Sequence, residues 1–389
     1  MDGSRRLAPD PVLFATSALI LGLGLVMVAS ASITLASRLT GNPFYFFERQ
    51  VVYAGLGLVL AAVAYSVPLA WWQRSSFLLL SAALVMLVAV LVPGIGSYVI
   101  GSVRWVALGP LRLQVSEPAR LLILVYIAAY IARRRTELST HFVGTLKPML
   151  VVGIAALLLL AEPDFGAAMV LIATSMAMLF FGGARLRDFA VFAVVGAAAF
   201  VVLAVASPYR LERITAFLNP WSQPFGSGFQ LTNSLIAIGR GGFFGVGLGE
   251  SIQKLFYLPE AHTDFLFAVL AEELGLLGGL VVIALFLVFT WRAVSIARRA
   301  AREGQLFGAY LAFGLGLWIG FQAFINIGVN MGALPTKGLT LPLMSYGGSS
   351  MIVVCVAIGL ILRAEQETHG ARGGWQQRVP LERDAARTA

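Results

Sequence analysis

The sequence predicts an all-α, polytopic membrane protein of about ten transmembrane helices. Three observations predict it. Apolar residues make up 59% of the 389 positions, charged residues only 12%, and apolar runs long enough to span a bilayer recur along most of the chain. Soluble domains carry about 25% charged residues, and half that share cannot coat a water-facing surface. A cytosolic enzyme, a secreted domain and a disordered scaffold are excluded on this ground.

The first run, Pro11 to Ser32, follows Ser4-Arg5-Arg6. It is longer than the ~7–15-residue apolar core of a signal peptide and reads as a retained first helix. Further runs fall near 50–66, 76–93, 116–132, 149–162, 166–182, 188–206, 265–291, 306–330 and 349–363. The shorter ones need Pro- or Gly-rich flanks to complete their span inside the protein. Residues 1–10 then form a short leading segment, 11–363 the membrane domain, and 364–389 a polar tail of mixed charge.

Orientation follows from the cations. With the N-terminus inside, 18 of the 28 lysines and arginines fall in cytoplasmic segments and 10 on the far side, which predicts both termini in the cytoplasm. The net charge of +9 is thus a matter of topology rather than of nucleic-acid binding. The single cysteine, Cys355, lies in an apolar run, which excludes an intrachain disulfide and a cysteine metal site.

Three outer segments are more than connectors: 92–115, 207–263 (between the seventh and eighth helices) and 331–348. The second exceeds ordinary loop length. Its Phe, Leu, Ile, Trp and Gly content argues against disorder and predicts a segment folded back onto the bundle, partly as re-entrant or interfacial helix.

Ionisable groups at a membrane boundary are costly, so each is a functional candidate. Asp264 follows Leu258-Pro259-Glu260-Ala261-His262-Thr263. On a helix starting there, Asp264, Ala268, Ala271, Glu272, Gly275 and Gly279 share one small-residue face, with Glu272 about 12 Å deeper. Spacing leaves two readings open, a helix-start residue above a packing seam and a chemically active carboxylate. In Gln114-Val115-Ser116-Glu117-Pro118-Ala119-Arg120, Ser116 suits an N-cap, and Glu117 and Arg120 stand at i, i+3. They form a structural ion pair or part of a site. In Glu162-Pro163-Asp164-Phe165-Gly166, the carboxylates line a cavity, hold a divalent cation such as Mg or Mn through oxygen ligands, or cap the next helix.

The far-side cations are Arg38, Arg49, Arg104, Arg112, Arg120, Arg210, Arg213, Arg240, Lys254 and Lys337. Gly239-Arg240-Gly241 and Thr336-Lys337-Gly338 set a cation in flexible backbone, which suits phosphate. Arg38 and Arg49 read as snorkelling residues, and His262 as a hydrogen-bonding partner. The glycine-rich 242–249 stretch fits neither nucleotide-binding pattern, no H-E-x-x-H occurs, and Ser345 lacks the G-x-S-x-G setting. Nucleotide, zinc-protease and serine-hydrolase chemistry are excluded. What stays is an outward-facing site suited to a substrate with a lipid tail and a phosphate head, which the protein either moves or changes.

Several long motifs then stand in order: Asn219-Pro220-Trp221, Gly226-Ser227-Gly228-Phe229-Gln230, Gly239-Arg240-Gly241, Gly247-Leu248-Gly249, Leu258 to Phe265, and Pro342-Leu343-Met344-Ser345-Tyr346-Gly347-Gly348-Ser349. With them the chain resembles the SEDS family (shape, elongation, division and sporulation) of membrane peptidoglycan polymerases. Glu260-Ala261-His262 and Leu334 to Pro342 resemble the division-type rather than the elongation-type member. Val115 departs from the family's usual proline, Arg120 from its commoner lysine, and Ala167 from a frequent threonine.

The resemblance implies inverting polymerisation of lipid II into β-1,4 glycan strands at the outer face of the bacterial cytoplasmic membrane, at the division septum, with release of undecaprenyl pyrophosphate. It implies Asp264 as general base, and Arg104, Arg120, Arg240 and Lys337 as pyrophosphate ligands with Glu117 orienting Arg120. Asp164 and Ser345 belong to the same substrate site, and Asp164 and Asp264 are the oxygen donors for a divalent cation if one is used. The implied partners are a class B penicillin-binding transpeptidase and other division membrane proteins. A lipid II flippase and a non-catalytic division scaffold are the alternatives.

Overall fold

The computed structural model describes residues 10–99, 102–108, 111–205, 215–336 and 338–385. Helices α1 (Pro11–Thr40), α2 (Tyr45–Ser66), the short α3 (Leu69–Arg74) and α4 (Ser76–Leu91) lead into a three-stranded sheet, β1 (Gly96–Val99), β2 (Ser102–Leu108) and β3 (Leu111–Gln114). There follow α5 (Ser116–Thr140), α6 (Phe142–Ala161), α7 (Phe165–Phe181), α8 (Leu186–Val205), α9 (Phe229–Gly241), α10 (Leu266–Arg302), α11 (Leu306–Asn330) and α12 (Gly348–Ala385). Every one of the ten expected spans coincides with a helix. Among the described residues six helices (α1, α2, α6, α10, α11 and the first part of α12) are long and apolar enough to cross a membrane by themselves. At 16 and 17 residues, α4 and α7 are slightly shorter.

The bundle is organised around α11 and α12, whose apolar windows are 72% and 78% buried. Trp318, Leu315 and Ile319 of α11 pack with Ile123, Leu124 and Ile127 of α5 and with Leu171 and Met178 of α7 in one continuous core. The outer surfaces of α2, α4 and α8 expose Val59, Leu78, Val85, Val194 and Val202. Water would penalise such faces and hydrocarbon does not, so they are the lipid-facing side of a multi-pass membrane protein.

Segment 92–115 folds as an antiparallel β-meander rather than a plain loop. Gly96 pairs with Val106 in the first ladder, and Trp105 with Gln114 in the second. Only Ser102-Val103-Arg104-Trp105 alternates polar and apolar residues at a strand's period of two; Val106 to Leu108 is apolar throughout.

Two local expectations fail at α10. The helix starts at Leu266, so Asp264 precedes its first turn. It is also broken at Gly275 (φ 68°, ψ −167°), and the single helical face drawn through Gly275 and Gly279 does not exist. The break has a partner. Leu276 and Leu277 donate their N–H groups to the Gly242 and Phe243 carbonyls, and Val246 and Gly247 donate to those of Glu272 and Glu273. A Cβ on Gly275 would lie 2.3 Å from the Gly245 nitrogen, so only glycine admits the crossing. The long segment thus folds back as expected, through α9 and a backbone-to-backbone seam that satisfies non-helical groups internally.

At the opposite end of the bundle, Asp10 caps α1 by accepting from Leu13 N–H at 2.8 Å and accepts from Arg292 Nε at 2.9 Å. Arg299 of α10 bonds Glu365 of α12 at 2.7 Å. Burial pushes Asp10 upward, yet its bonds from Arg292 and Leu13 outweigh that and hold it at about 2. The start of α1 and the Glu365 turn of α12 therefore meet on one side of the bundle. Helix α12 runs through the expected 363/364 boundary, with Glu365 and Thr368 still buried.

Candidate functional site

The other end carries the β-meander, α9 and the 331–347 segment, and Asp264 stands there, half-exposed. Its placement is fixed through its main chain. Asn326 and Asn330, one turn apart on α11, donate from Nδ2 to the Asp264 carbonyl at 2.8 and 3.0 Å. Asn326 also reaches the Leu339 carbonyl at 2.5 Å, and Asn330 Oδ1 accepts the Ala268 N–H at 3.1 Å. Two amides inside an apolar helix tie Asp264, the first turn of α10 and the 338–340 segment together. These positioning residues were missed from sequence. Their signal was available, since two uncharged polar residues at i, i+4 in a membrane helix share one face and demand partners.

A second set of bonds joins the same backbone to the 341–347 turn. Ser345 Oγ donates to the Thr263 carbonyl at 2.5 Å and accepts the Leu341 N–H at 2.9 Å. Tyr346 N–H reaches the His262 carbonyl at 2.9 Å, and Gln50 of α2 donates to the Ser345 carbonyl at 3.0 Å. The His262 ring packs against Phe46 and Tyr346, 4.9 and 5.5 Å away, which also touch each other at 5.1 Å. Burial holds His262 below the usual histidine range, with Glu260 opposing only in part. The packed ring is a wall of the site, and Ser345 staples the backbone beside it.

The remaining candidates separate cleanly. Arg120 is 1% exposed, donates to Gln322 at 2.7 Å and to Glu117 at 3.1 Å, and lies over the Trp318 ring. Glu117 thus holds Arg120 in a buried pair, with the guanidinium directed at Gln322 and Trp318. Asp164 caps α7 by accepting from Ala167 N–H at 3.1 Å, while its second oxygen accepts from Ser116 at 2.8 Å and Gln114 at 3.2 Å. Both oxygens of Asp164 are thus engaged, and the capping expectation is met. Among the described residues no group of three or more His, Cys, Asp or Glu side chains is arranged to hold a metal ion.

Arg240 is likewise committed. It donates to the fully buried Glu272 at 2.7 Å, and Glu272 also accepts from Ser251 Oγ at 2.5 Å and Ile252 N–H at 3.2 Å. Next to it, Glu273 pairs with Lys254 at 2.7 Å and with Ser30 of α1. Two adjacent acids on α10 thus latch the glycine-rich loop, and Gly241 serves close approach of chains, since a Cβ there would run into the Ala271 carbonyl. Arg104 of β2 is partly exposed at this end of the bundle, the Gln114 N–H anchoring its sheet to Ser349 Oγ at 2.8 Å. Lys337 lies outside the described residues. It directly precedes Gly338, whose ideal Cβ would fall 2.9 Å from Asp264 Oδ2.

Residues 11–370 match the cell cycle protein family model FtsW/RodA/SpoVE. A protein of Thioalkalivibrio sulfidiphilus named "Probable peptidoglycan glycosyltransferase FtsW" is 60% identical, the match covering 90% of this chain and 87% of that one. A Coxiella burnetii protein of the same name is 55% identical over 90% of this chain and 94% of its own length. Among solved structures, a peptidoglycan synthase complex described as coordinating polymerization and crosslinking aligns with a TM-score of 0.75 at 30% identity, covering 93% of this chain and 99% of that chain. The Thermus thermophilus rod shape determining protein RodA aligns at 0.69 and 29% identity, covering 93% and 98%.

Proposed function

The chain belongs to the FtsW/RodA/SpoVE family of cell cycle proteins, and from that premise we propose that it is a peptidoglycan glycosyltransferase of the division type. It polymerises lipid II at the outer face of the cytoplasmic membrane, at the septum, with both termini inside. The observation that carries the reading is the fixation of Asp264: a half-exposed carboxylate on backbone clamped by Asn326, Asn330 and Ser345. Pre-organisation of this kind serves a base that must meet one hydroxyl in one orientation.

The donor sugar is linked α to a lipid pyrophosphate, and the new bond is β-1,4. The acceptor hydroxyl attacks the anomeric carbon from the face opposite the pyrophosphate, Asp264 takes its proton, and the pyrophosphate departs with the bonding electrons. Departure builds negative charge, which Arg104 and Lys337 stabilise. Arg120 and Arg240, already bonded to protein groups, support the scaffold instead. The strands so made are uncrosslinked, and a single-span class B penicillin-binding transpeptidase is the partner that joins them.

The test is polymerisation of purified lipid II by the reconstituted protein, alone and with its cognate transpeptidase. Glycan strands and released undecaprenyl pyrophosphate are expected. Transbilayer movement of lipid II without strand formation would replace this reading with transport, and neither activity would favour a scaffold.

A further inference from the structure

Among the described residues four other than glycine adopt positive φ: Pro163, Phe256, Glu260 and Leu343. Glu260, at φ 57°, stands four residues before Asp264. That left-handed conformation costs an L side chain energy and costs glycine none. A turn residue with positive φ after a proline is ordinarily Gly or Asn, and here Pro259 precedes a glutamate. Glu260 is exposed, so packing does not account for the choice. Its bonds do. The carboxylate Oε2 accepts from Thr263 Oγ1 at 2.6 Å, within the range of a charge-assisted bond. The Glu260 carbonyl accepts the N–H groups of Thr263 and Phe265 at 3.1 and 3.2 Å. One strained residue therefore grips the chain on both sides of Asp264.

We propose that Glu260 is a positioning residue for Asp264 that acts through Thr263, its carboxylate setting the orientation of the peptide that carries the base. Strain at a functional site persists where the surrounding bonds over-determine it, and three sets of bonds converge on this turn. Asn326 and Asn330 hold the Asp264 carbonyl, Ser345 Oγ holds the Thr263 carbonyl, and Glu260 holds the Thr263 hydroxyl. The first two sets act on the main chain from the bundle side. Glu260 closes the turn from the exposed side, and its carbonyl bonds alone would be open to any residue. Asparagine at 260 would suit the left-handed backbone better than glutamate does, but it is one methylene too short to reach Thr263 Oγ1. The long acid thus sacrifices local stability to aim Asp264.

The inference rests on the glycosyltransferase reading, and the experiment separates the two. Values of kcat and KM for lipid II, and unfolding midpoints, are measured on the full-length protein reconstituted with its transpeptidase. The variants are Glu260→Asn, Glu260→Gln, Thr263→Val and the Glu260→Asn, Thr263→Val pair. Glu260→Asn is expected to lower kcat about tenfold, the effect of a sub-ångström misplacement of the base. Its KM should be unmoved and its midpoint no lower than that of wild type. Glu260→Gln keeps the length and an acceptor oxygen, and should retain most of kcat. Thr263→Val should lose as much as Glu260→Asn, and the pair no more than either alone, because both act through one bond. Wild-type kcat in Glu260→Asn, or losses that multiply in the pair, overturns the proposal while leaving the polymerase reading intact. A fall in kcat that tracks a lowered midpoint marks a structural role and overturns it too. So does a loss in Glu260→Gln equal to that in Glu260→Asn, which marks an action of the charge itself. No strand synthesis by wild type overturns the polymerase reading, and this inference falls with it.

Discussion

Gly338→Ala is the substitution on which the geometry around Asp264 bears most sharply. A Cβ at position 338 would lie 2.9 Å from Asp264 Oδ2, and ordinary contact begins near 3.4 Å. The carboxylate must therefore move by about 0.5 Å, since the Asp264 backbone is tied by Asn326 and Asn330 and cannot yield. A misplacement of ~1 Å in a catalytic constellation costs on the order of 10²-fold in rate, so half that shift is worth about tenfold. Thermal stability should barely change, because the strain resolves by rotation of one short side chain. Gly347→Ala in the same segment is the control, its Cβ meeting Thr340 at an ordinary 3.6 Å. Initial rates of glycan-strand formation and unfolding midpoints are measured for both. Wild-type rate in Gly338→Ala, or an equal loss in the control, would refute the reasoning that the Asp264 carboxylate needs this close glycine.

The remaining predictions concern the latch and the opposite end. Lys254→Met leaves Glu273 charged and buried with only Ser30 beside it, at a cost of ~3–5 kcal/mol. The unfolding midpoint should fall, and the added Glu273→Gln change should recover much of the loss. Arg240→Gln should cost about 1 kcal/mol or less, since Arg240 is partly exposed, and should leave KM for lipid II unmoved; a large rise in KM would restore Arg240 as a substrate ligand. Asp10, held at about 2, contributes stability that is full above the ordinary carboxylate range near pH 4 and is lost as pH falls through 2. Asp10→Asn should flatten acid unfolding over that window; an unchanged profile would count against the Arg292 pairing.

Much of the fold is legible because hydrocarbon imposes one rule, that spanning backbone must satisfy itself as helix, and each apolar run obeys it. The meander is harder to see. Its strands are four to seven residues long and rest on pairing across turns, which no helical periodicity reports. The break at Gly275 is invisible locally, because its cause is the backbone of residues 242–247. The candidate site divides the same way. Asp264 stands out as an acid at a membrane boundary, but whether a cation is available depends on partners remote in sequence. Arg120 meets Gln322 and Arg240 meets Glu272 only in the folded chain. Glycine-flanked spacing made Arg240 look like a phosphate ligand, and the family resemblance did so for Arg120.

The central claim is that Asp264 acts as a base, and lipid II polymerisation by Asp264→Asn tests it most directly. Asparagine keeps the size of the side chain, and its carbonyl bonds to Asn326 and Asn330 belong to the backbone and survive. The variant should fold, bind lipid II and hold its transpeptidase as wild type does. Its rate of strand formation should fall by at least ~10²–10⁴-fold, the range expected for a positioned acid–base group. Polymerisation at near wild-type rate by Asp264→Asn would contradict the account.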